Sequence, residues 1–258
     1  MGSAEKDNGN ILWGLKLLAY VALSLAAFTA TWHAASWASG KPYLPGPASV
    51  ALKIYAEAFQ GNLIENTVIT LKRVLTALAI ATVLGFSTGL AAGKTSLGSR
   101  GLRPFILATY PIPHATLIPI LLWILGVEWS KIGVIAMIIY YPIAVSTMEW
   151  SMRTPRDYED LIDSMGGTLT HKILYVTIPY IIPGFLTGLR MAVSVAYAIV
   201  FLAESFVLTG GLGAYIEESW HRLDYEGVYS GVVTLSTLGV MSYTILWLLE
   251  KAYRSRFM

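Results

Sequence analysis

Cysteine is absent from this sequence of 258 residues, and charged residues are scarce. The lack of cysteine excludes a small secreted domain that is held together by disulfides. Lysine, arginine, aspartate and glutamate form 13% of the chain, about half of the share of roughly 25% in soluble domains. The 16 acidic residues leave too few charges to cover a globule of 28.2 kDa. The net charge of +2 is too small to indicate a nucleic-acid partner.

Apolar residues, by contrast, make up 55% of the chain, and its mean hydropathy is +0.59. This composition excludes intrinsic disorder and indicates a chain that is solvated mainly by lipid. A helix needs about 20 mostly apolar residues to cross the hydrocarbon core of a bilayer. Six stretches meet this requirement and predict an all-α membrane protein with six transmembrane helices: Ile11–Trp37, Val68–Ala92, Phe105–Leu125, Ile132–Trp150, Ile178–Leu208 and Gly231–Leu249. The first stretch is too long for a cleaved signal peptide.

The positions of the basic residues predict the orientation of these spans. If the N-terminus is cytoplasmic, the cytoplasmic segments carry ten lysines and arginines, and the segments outside carry four. Cytoplasmic loops of membrane proteins carry such an excess of positive charge. Both termini are therefore expected in the cytoplasm, as tails of residues 1–10 and 251–258 around a single membrane domain of residues 11–250. The polar connections do not exceed about 30 residues, which is too short for a catalytic domain.

The third predicted span is interrupted by prolines, in the run Tyr110-Pro111-Ile112-Pro113-His114. Proline removes a helical donor and bends the helix, which a membrane tolerates where the freed carbonyls meet protein or water. The bend is therefore expected either to line a transport pathway or to serve packing alone. His114 has the same two interpretations, because polar residues in mid-membrane face a pathway or find partners within the bundle.

Charged residues in or beside the spans also allow more than one role. Glu204 lies near the end of the fifth span, where a carboxylate is costly unless it is paired or hydrated. It is expected either to line the mouth of a pathway or to pair with a cation on a neighbouring helix. Arg190 is expected to anchor a helix, and Lys72 and Arg73 are expected to extend towards the membrane interface.

Gly85, Gly89 and Gly93 recur at a spacing of four residues in the second span. Such a face lets another helix approach closely, so we expect it to serve helix packing. The segment Gly89–Thr95 also resembles a phosphate-binding loop, but it is one residue short and ends an apolar helix instead of following a strand. The four histidines have no paired spacing that would suit a metal. We therefore expect no nucleotide, cofactor or metal site in this chain.

The most informative segment is the connection of residues 151–177 between the fourth and fifth spans. Pro155 and the acidic residues after it favour the start of a helix. Leu161, Ile162 and Met165 fall on one face of this short helix, which glycines end. Helices that lie on a membrane surface favour lysine and arginine, so the acids of this helix predict docking on a protein partner. The acids that predominate on its polar face are Glu159, Asp160 and Asp163.

This connection resembles the cytoplasmic signature of ABC-importer permeases. Asp160 stands at the position of the usual glutamate, Leu161-Ile162 at that of an alanine pair, and Gly166 at that of the glycine. Ile178-Pro179 matches the closing pair, whereas Gly167 stands where alanine is common.

Further motifs follow in the expected order over roughly residues 44–250. They resemble those of permeases of the sulfonate, taurine and nitrate type, which includes thiamine-precursor and bicarbonate transporters. The matching segments are Leu44-Pro45-Gly46-Pro47, Thr70–Leu75, Pro111-Ile112-Pro113, Ser130-Lys131-Ile132, Gly188-Leu189-Arg190, Ala203-Glu204 and Gly211-Leu212-Gly213. His114 replaces a frequent proline.

The resemblance implies the type I ABC importer permease fold with a cytoplasmic coupling helix at residues 157–169. Two permease chains, expected as a homodimer, would form the pore. Two separate ABC ATPase subunits would bind ATP and Mg, and an extracytoplasmic binding protein would deliver the solute. The residues implied for ATPase docking are Glu159, Asp160, Leu161, Ile162, Asp163, Met165, Gly166 and Gly167. Those implied for the translocation pathway are Tyr110, Pro111, Pro113, His114, Ser194, Tyr197 and Glu204.

The main alternative is an ion-coupled secondary transporter. Such a carrier needs coupling-ion residues at the membrane midplane and often has an inverted repeat, and neither is recognisable. A channel filter and a hydrolytic constellation are not recognisable either. We therefore expect a non-enzymatic transport subunit of the cell inner membrane. Its solute is expected to be a small anion such as a sulfonate, taurine, nitrate or bicarbonate, or a thiamine precursor.

Overall fold

The computed structural model describes the backbone of residues 2–257 and the side chains of residues 19–255. Its regular structure over this range is helical. The helices are α1 (Gly2–Ser39), α2 (Pro47–Gln60), α3 (Leu63–Lys94), α4 (Arg103–Thr109), α5 (Ile118–Met152), α6 (Arg156–Ser164), α7 (Leu169–Lys172), α8 (Ile178–Phe206), α9 (Leu212–His221) and α10 (Tyr225–Phe257). The prediction of an all-α protein is thus confirmed.

Four helical stretches within the described range are long and apolar enough to cross a membrane. They are Leu63–Lys94, His114–Met152, Leu169–Phe206 and Tyr225–Ser255. They contain the second, fourth and sixth predicted spans and nearly all of the fifth. The fifth predicted span corresponds to α8, which ends at Phe206, two residues before the predicted Leu208. The first predicted span lies in α1, where the side chains before residue 19 fall outside the described residues, as do those of the tail 1–10.

The stretch His114–Met152 reverses its direction at Gly126. As one straight helix its 39 residues would reach about 58 Å, roughly twice the hydrocarbon thickness of about 30 Å. Gly126 instead has φ 76° and ψ 178°, a conformation that favours glycine. His114 Nε2 lies 3.0 Å from the hydroxyl of Tyr141, 27 residues further along the chain, which places the two arms side by side. Residues 118–125 and 127–152 are therefore antiparallel, as the prediction of separate third and fourth spans requires.

The third predicted span, Phe105–Leu125, is not one continuous helix. α4 ends at Thr109, and a 3₁₀ turn covers His114–Leu117 before α5 begins. The prolines between these two elements supply no backbone donors. The interruption predicted from the prolines is therefore present, and the span is built from short helical pieces.

α3, α5 and α8 form the centre of the bundle. The core side chains are mainly isoleucine, alanine and valine, among them Ile135, Ile139, Ile143, Ala196 and Val200. On α3, a Cβ on Gly85 would lie 2.9 Å from Ile143 Cγ2, and one on Gly89 would lie 2.9 Å from Thr147 Cβ. A Cβ on Gly93 would lie 2.9 Å from the Met148 carbonyl oxygen. The glycine face of α3 thus packs directly on α5, which confirms the packing role predicted for it.

Replacing Gly89 with alanine should destabilise the protein, because the added Cβ would overlap the Ala144 carbonyl oxygen of α5. Overpacking of this kind costs about 1–3 kcal/mol, more than alanine recovers in helix propensity. Gly101→Ala is the matched control, since a Cβ there meets nothing within 4 Å. Thermal unfolding of the purified variants in detergent measures both effects. Equal melting temperatures for the two variants would contradict the close contact of α3 with α5.

Candidate functional site

Helix α6 is bounded by a proline and by two glycines. Pro155 is extended, with φ −64° and ψ 132°, and the helix begins at the next residue. At the other end Gly166 has φ 74° and donates its N–H to the Asp163 carbonyl at 2.9 Å. Gly167 donates to the Ile162 carbonyl at 2.8 Å. This pair of bonds is the Schellman motif, whose left-handed residue glycine adopts without steric cost.

The apolar face of α6 has no cover. None of the residues of α6 is buried. Tyr158, Leu161 and Met165 are 58%, 57% and 76% exposed, and their spacing of three and four residues places them on one face. Ile162, the fourth apolar residue, is partly buried against Gly167. Sequence reasoning missed Tyr158, although it stands one helical turn before Leu161.

Two of the four acids of α6 are held by lysines of the same chain. Glu159 forms an ion pair with Lys94, at the end of α3. Asp163 accepts a hydrogen bond of 2.6 Å from Lys172 Nζ, at the end of α7. Asp160 is exposed. The acidic face therefore turns partly towards the membrane-spanning helices, and the apolar face points away from them.

A buried polar network lies at the opposite end of α3. Arg73 is 21 residues before Lys94, which corresponds to about 32 Å along a helix. Its side chain is 2% exposed and lies between two carboxylates. Nη1 donates to Glu204 Oε1 at 2.9 Å, and Nε and Nη2 donate to the two oxygens of Glu128 at 2.8 and 2.7 Å. The fork of the guanidinium thus binds the Glu128 carboxylate with two bonds.

The Glu204 carboxylate is fully buried, at 0% exposure, and each of its oxygens is satisfied. Besides the bond from Arg73, it accepts one from the Thr70 hydroxyl at 2.9 Å and one from the Gly213 N–H at 2.8 Å. The Thr70 hydroxyl in turn accepts the Leu212 N–H at 2.8 Å. The carboxylate thereby joins α3 and α8 to the start of α9.

The segment between α8 and α9 is held at further points by the same network. Asn66 Oδ1 accepts the Gly211 N–H at 2.7 Å, and Arg73 Nη1 donates to the Gly210 carbonyl at 2.7 Å. Lys131 of α5, 1% exposed, donates to the Val207 carbonyl at 2.6 Å and to the Thr209 hydroxyl at 2.7 Å. The spacing of Asn66, Thr70 and Arg73 on one face of α3 was the sequence signal for this network, and it was overlooked.

These contacts decide between the roles that the sequence left open for the charged residues. Of the two roles considered for Glu204, the structure shows the pair with a cation on a neighbouring helix. The expectation that Arg73 extends to the interface was wrong, because two carboxylates hold it inside the bundle. Lys72 is exposed. Arg190 is an anchor, with Nε 3.4 Å from Glu250 Oε2 and Nη1 3.1 Å from the Tyr243 hydroxyl.

Tyr110 and His114 gather around Tyr141 of α5. The rings of Tyr110 and Tyr141 stack with centroids 5.2 Å apart, and Tyr110 is half exposed. His114 is 7% exposed, and its Nε2 lies 3.0 Å from the Tyr141 hydroxyl. It is therefore a histidine with a partner inside the bundle. Pro111 and Pro113 are exposed beside it.

Ser194 and Tyr197 lie in a different place. They line a cavity of about 810 Å³ between α8, α9 and α10, together with Trp220 and Tyr243. Ser194 is exposed, whereas Tyr197 is 5% exposed and its hydroxyl lies 2.8 Å from Ser242 Oγ. The predicted pathway residues thus lie in three places, because Glu204 belongs to the buried network of Arg73. Among residues 19–255, no three histidine, cysteine or acidic side chains are placed to hold a metal ion.

Residues 81–255 match the family described as the binding-protein-dependent transport system inner membrane component. The chain belongs to this family. It is a permease of an ABC importer, as the sequence predicted, and a multi-pass membrane protein.

Named relatives agree with this assignment. The permease is 29% identical over 221 residues to the formylaminopyrimidine transport permease protein ThiX of Halalkalibacterium halodurans, covering 85% of this chain and 88% of that protein. It is 25% identical to the taurine transport system permease protein TauC of Escherichia coli, covering 89% and 87% of the two chains. It is 27% identical to the nitrate import permease protein NrtB of Synechococcus elongatus, covering 79% and 77%.

Solved structures show the same fold. The methionine ABC transporter MetNI, in an inward-facing conformation, matches with a TM-score of 0.64 and 17% identity, over 76% of this permease and 98% of that chain. An amino acid ABC transporter matches with a TM-score of 0.60 and 13% identity, over 77% and 95%. The type I importer fold predicted from the sequence is thereby confirmed.

Glu204→Gln should destabilise the permease strongly, because it leaves Arg73 without its buried counter-charge. Breaking one side of a buried pair costs about 3–5 kcal/mol. Glu128→Gln removes the other carboxylate on Arg73, but Glu128 is 54% exposed, and exposed pairs contribute about 0–1 kcal/mol. Thermal unfolding in detergent compares the two variants. A larger loss for Glu128→Gln would show that the stabilising carboxylate of Arg73 is not the buried one.

Proposed function

We propose that this permease forms the translocation pathway of an importer for a small anion, as a homodimer. In this proposal two ABC ATPase subunits dock on α6, bind ATP and Mg, and hydrolyse the ATP. An extracytoplasmic binding protein delivers the solute. The permease itself is a non-enzymatic subunit without a cofactor. The observation that carries the proposal is the uncovered apolar face of α6 at one end of the spans.

The docking surface consists of Tyr158, Leu161 and Met165, with Asp160 beside them. An exposed apolar face on a short, tethered helix fits the groove of a protein partner better than it fits water. Asp160 would meet a cation of the ATPase. Gly166 and Gly167 end the helix sharply, so that a partner can enclose its tip. The predicted docking set also includes Glu159, Ile162 and Asp163. Since these residues contact other parts of the chain, we assign them to positioning the helix.

The translocation pathway is proposed to pass the bend at Tyr110, Pro111, Pro113 and His114, and the cavity face of Ser194 and Tyr197. Tyr110 and the prolines are exposed in the single chain, which supports a position beside an aqueous path. Glu204 contributes to the pathway by fixing the end of α8, since its carboxylate has no exposed surface.

The choice of a small anion rests on the relatives. Taurine, nitrate and aliphatic sulfonates, which appear in the names of three of them, carry an anionic group. The permease for formylaminopyrimidine keeps a thiamine precursor as the second candidate, and bicarbonate belongs to the same class of small anions. The excess of lysine and arginine on the α6 side supports a cytoplasmic position for α6 and for both termini.

The docking surface is tested by adding a charge to it. Leu161→Asp should weaken binding of the ABC ATPase encoded next to the permease gene about 30-fold, because a central apolar contact is worth about 2 kcal/mol. Arg156→Gln changes the charge of the same helix by the same amount at an exposed position about 140° away and should bind normally. Co-purification from mild detergent, followed by titration of the ATPase, measures both.

Equal binding by the two variants would contradict docking through the apolar face. If the wild-type permease retains no ATPase, and if the reconstituted pair hydrolyses no ATP, the importer mechanism itself is contradicted. Uptake by the permease alone, driven by an ion gradient, would then favour a secondary transporter.

A further inference from the structure

Helix α6 has few contacts that fix its orientation. It is joined to α5 by residues 153–155 and to α7 by residues 165–168. These connections hold the two ends of the helix, and the contacts of its side chains set its rotation about its own axis. None of its residues is buried, and Ile162 is partly buried only against Gly167 of the adjoining connection, so apolar packing does not fix this rotation relative to the spanning helices. Polar contacts therefore determine which face points outwards.

The described side chains of α6 make two ion pairs with residues outside the helix, through Glu159 and Asp163. The two acids are four residues apart and lie on the same face. Asp163 pairs with Lys172, nine residues further along the same connection. Glu159 pairs with Lys94 across 65 residues of sequence. Lys172 lies at the start of the spanning stretch Leu169–Phe206, so both pairs tie α6 to spanning helices, but only the pair of Lys94 and Glu159 joins it to a helix that is distant in the sequence.

The environment favours the pair of Lys94 and Glu159. The two side chains are 12% and 22% exposed, which is well below the exposure of a typical surface pair. Lys94 lies in the last turn of α3 and Glu159 in the first turn of α6. Each charge therefore lies at a helix end whose dipole has the opposite sign, and this arrangement is stabilising. Lys94 is also held in place, because the glycine face of α3 packs on α5 close to it.

We propose that Lys94 is a positioning residue that sets the rotation of the coupling helix through Glu159, so that Tyr158, Leu161 and Met165 face the ATPase. Lys172 supports the same setting from the other end. This inference rests on the proposed function, because it assigns the purpose of the orientation to docking. Without Lys94 the helix samples other rotations, and the docking-competent orientation becomes a minor population.

The absence of cysteine from the chain allows a direct test by spin labelling. Cysteines introduced at Ser96 and Ser164, both exposed, place labels beyond the end of α3 and on α6. Lys94→Met should at least double the width of the distance distribution between the labels. Lys94→Glu combined with Glu159→Lys should restore the narrow distribution, because the reversed pair makes the same contact. Glu159→Gln removes the pair from the other side and should repeat the effect of Lys94→Met.

Lys53→Met is the matched control, because it also removes an ion pair. Lys53 Nζ lies 2.9 Å from Asp224 Oδ2, near the other end of the bundle. The hydrogen bond with Asp224 raises the pKa of Lys53, which partial burial opposes, so the lysine is charged at neutral pH. Its loss should leave the label distances unchanged. A monodisperse elution profile of each variant shows that the fold is intact.

ATPase binding provides the second readout. If about a tenth of the Lys94→Met molecules hold the competent orientation, the apparent affinity falls about tenfold, and the reversed pair recovers it. A narrow label distribution in Lys94→Met would overturn the inference, and so would a reversed pair that stays as broad as the single variant. The label distances are measured without the ATPase. Failure of the wild type to bind ATPase would therefore contradict the proposed function, while the distances still decide whether Lys94 orients the helix.

Discussion

The buried carboxylate of Glu204 is the constraint on which one end of this permease depends. A charge without water is tolerated only when its bonds are supplied by the protein. Arg73, Thr70 and the Gly213 N–H supply them. Arg73 and Thr70 belong to α3, whereas Gly213 belongs to α9. The positions of α3, α8 and the start of α9 are therefore coupled. Lys131 extends the coupling to α5 by holding the carbonyl of Val207.

The two ends of the bundle differ in which side chains are buried. At the Glu204 end, polar groups are buried and their partners lie within the chain. At the α6 end, apolar side chains are exposed, and two of the acids, Glu159 and Asp163, pair with lysines. Close packing of α3 on α5 through glycines connects the two ends, because backbones in direct contact cannot shift independently. In the proposed function α6 is the helix on which the ATPase docks, and the closely packed bundle behind it transmits the movement.

Much of the fold could be read from local patterns. Apolar runs of about 20 residues specify spanning helices because lipid demands internal backbone bonding. A close helix contact is predicted by Gly85, Gly89 and Gly93, and an interrupted span is predicted by the prolines at 111 and 113. The glycines at 166 and 167 predict the end of α6, since the left-handed turn there requires glycine. The prediction of two separate spans implied a reversal of the chain between them, but the sequence did not predict that Gly126 forms it or with which backbone angles.

The sequence by itself determined the class of protein, the number and place of the apolar stretches, and the short acidic helix that marks an importer permease. These properties depend on composition and on residues a few positions apart. Only the tertiary structure decided that Glu204 pairs with Arg73, that His114 is bonded to Tyr141, and that Lys94 holds Glu159. Each of these pairs joins residues 27 or more positions apart. Their choice depends on how helices pack in three dimensions, which the local periodicity of a single chain does not specify.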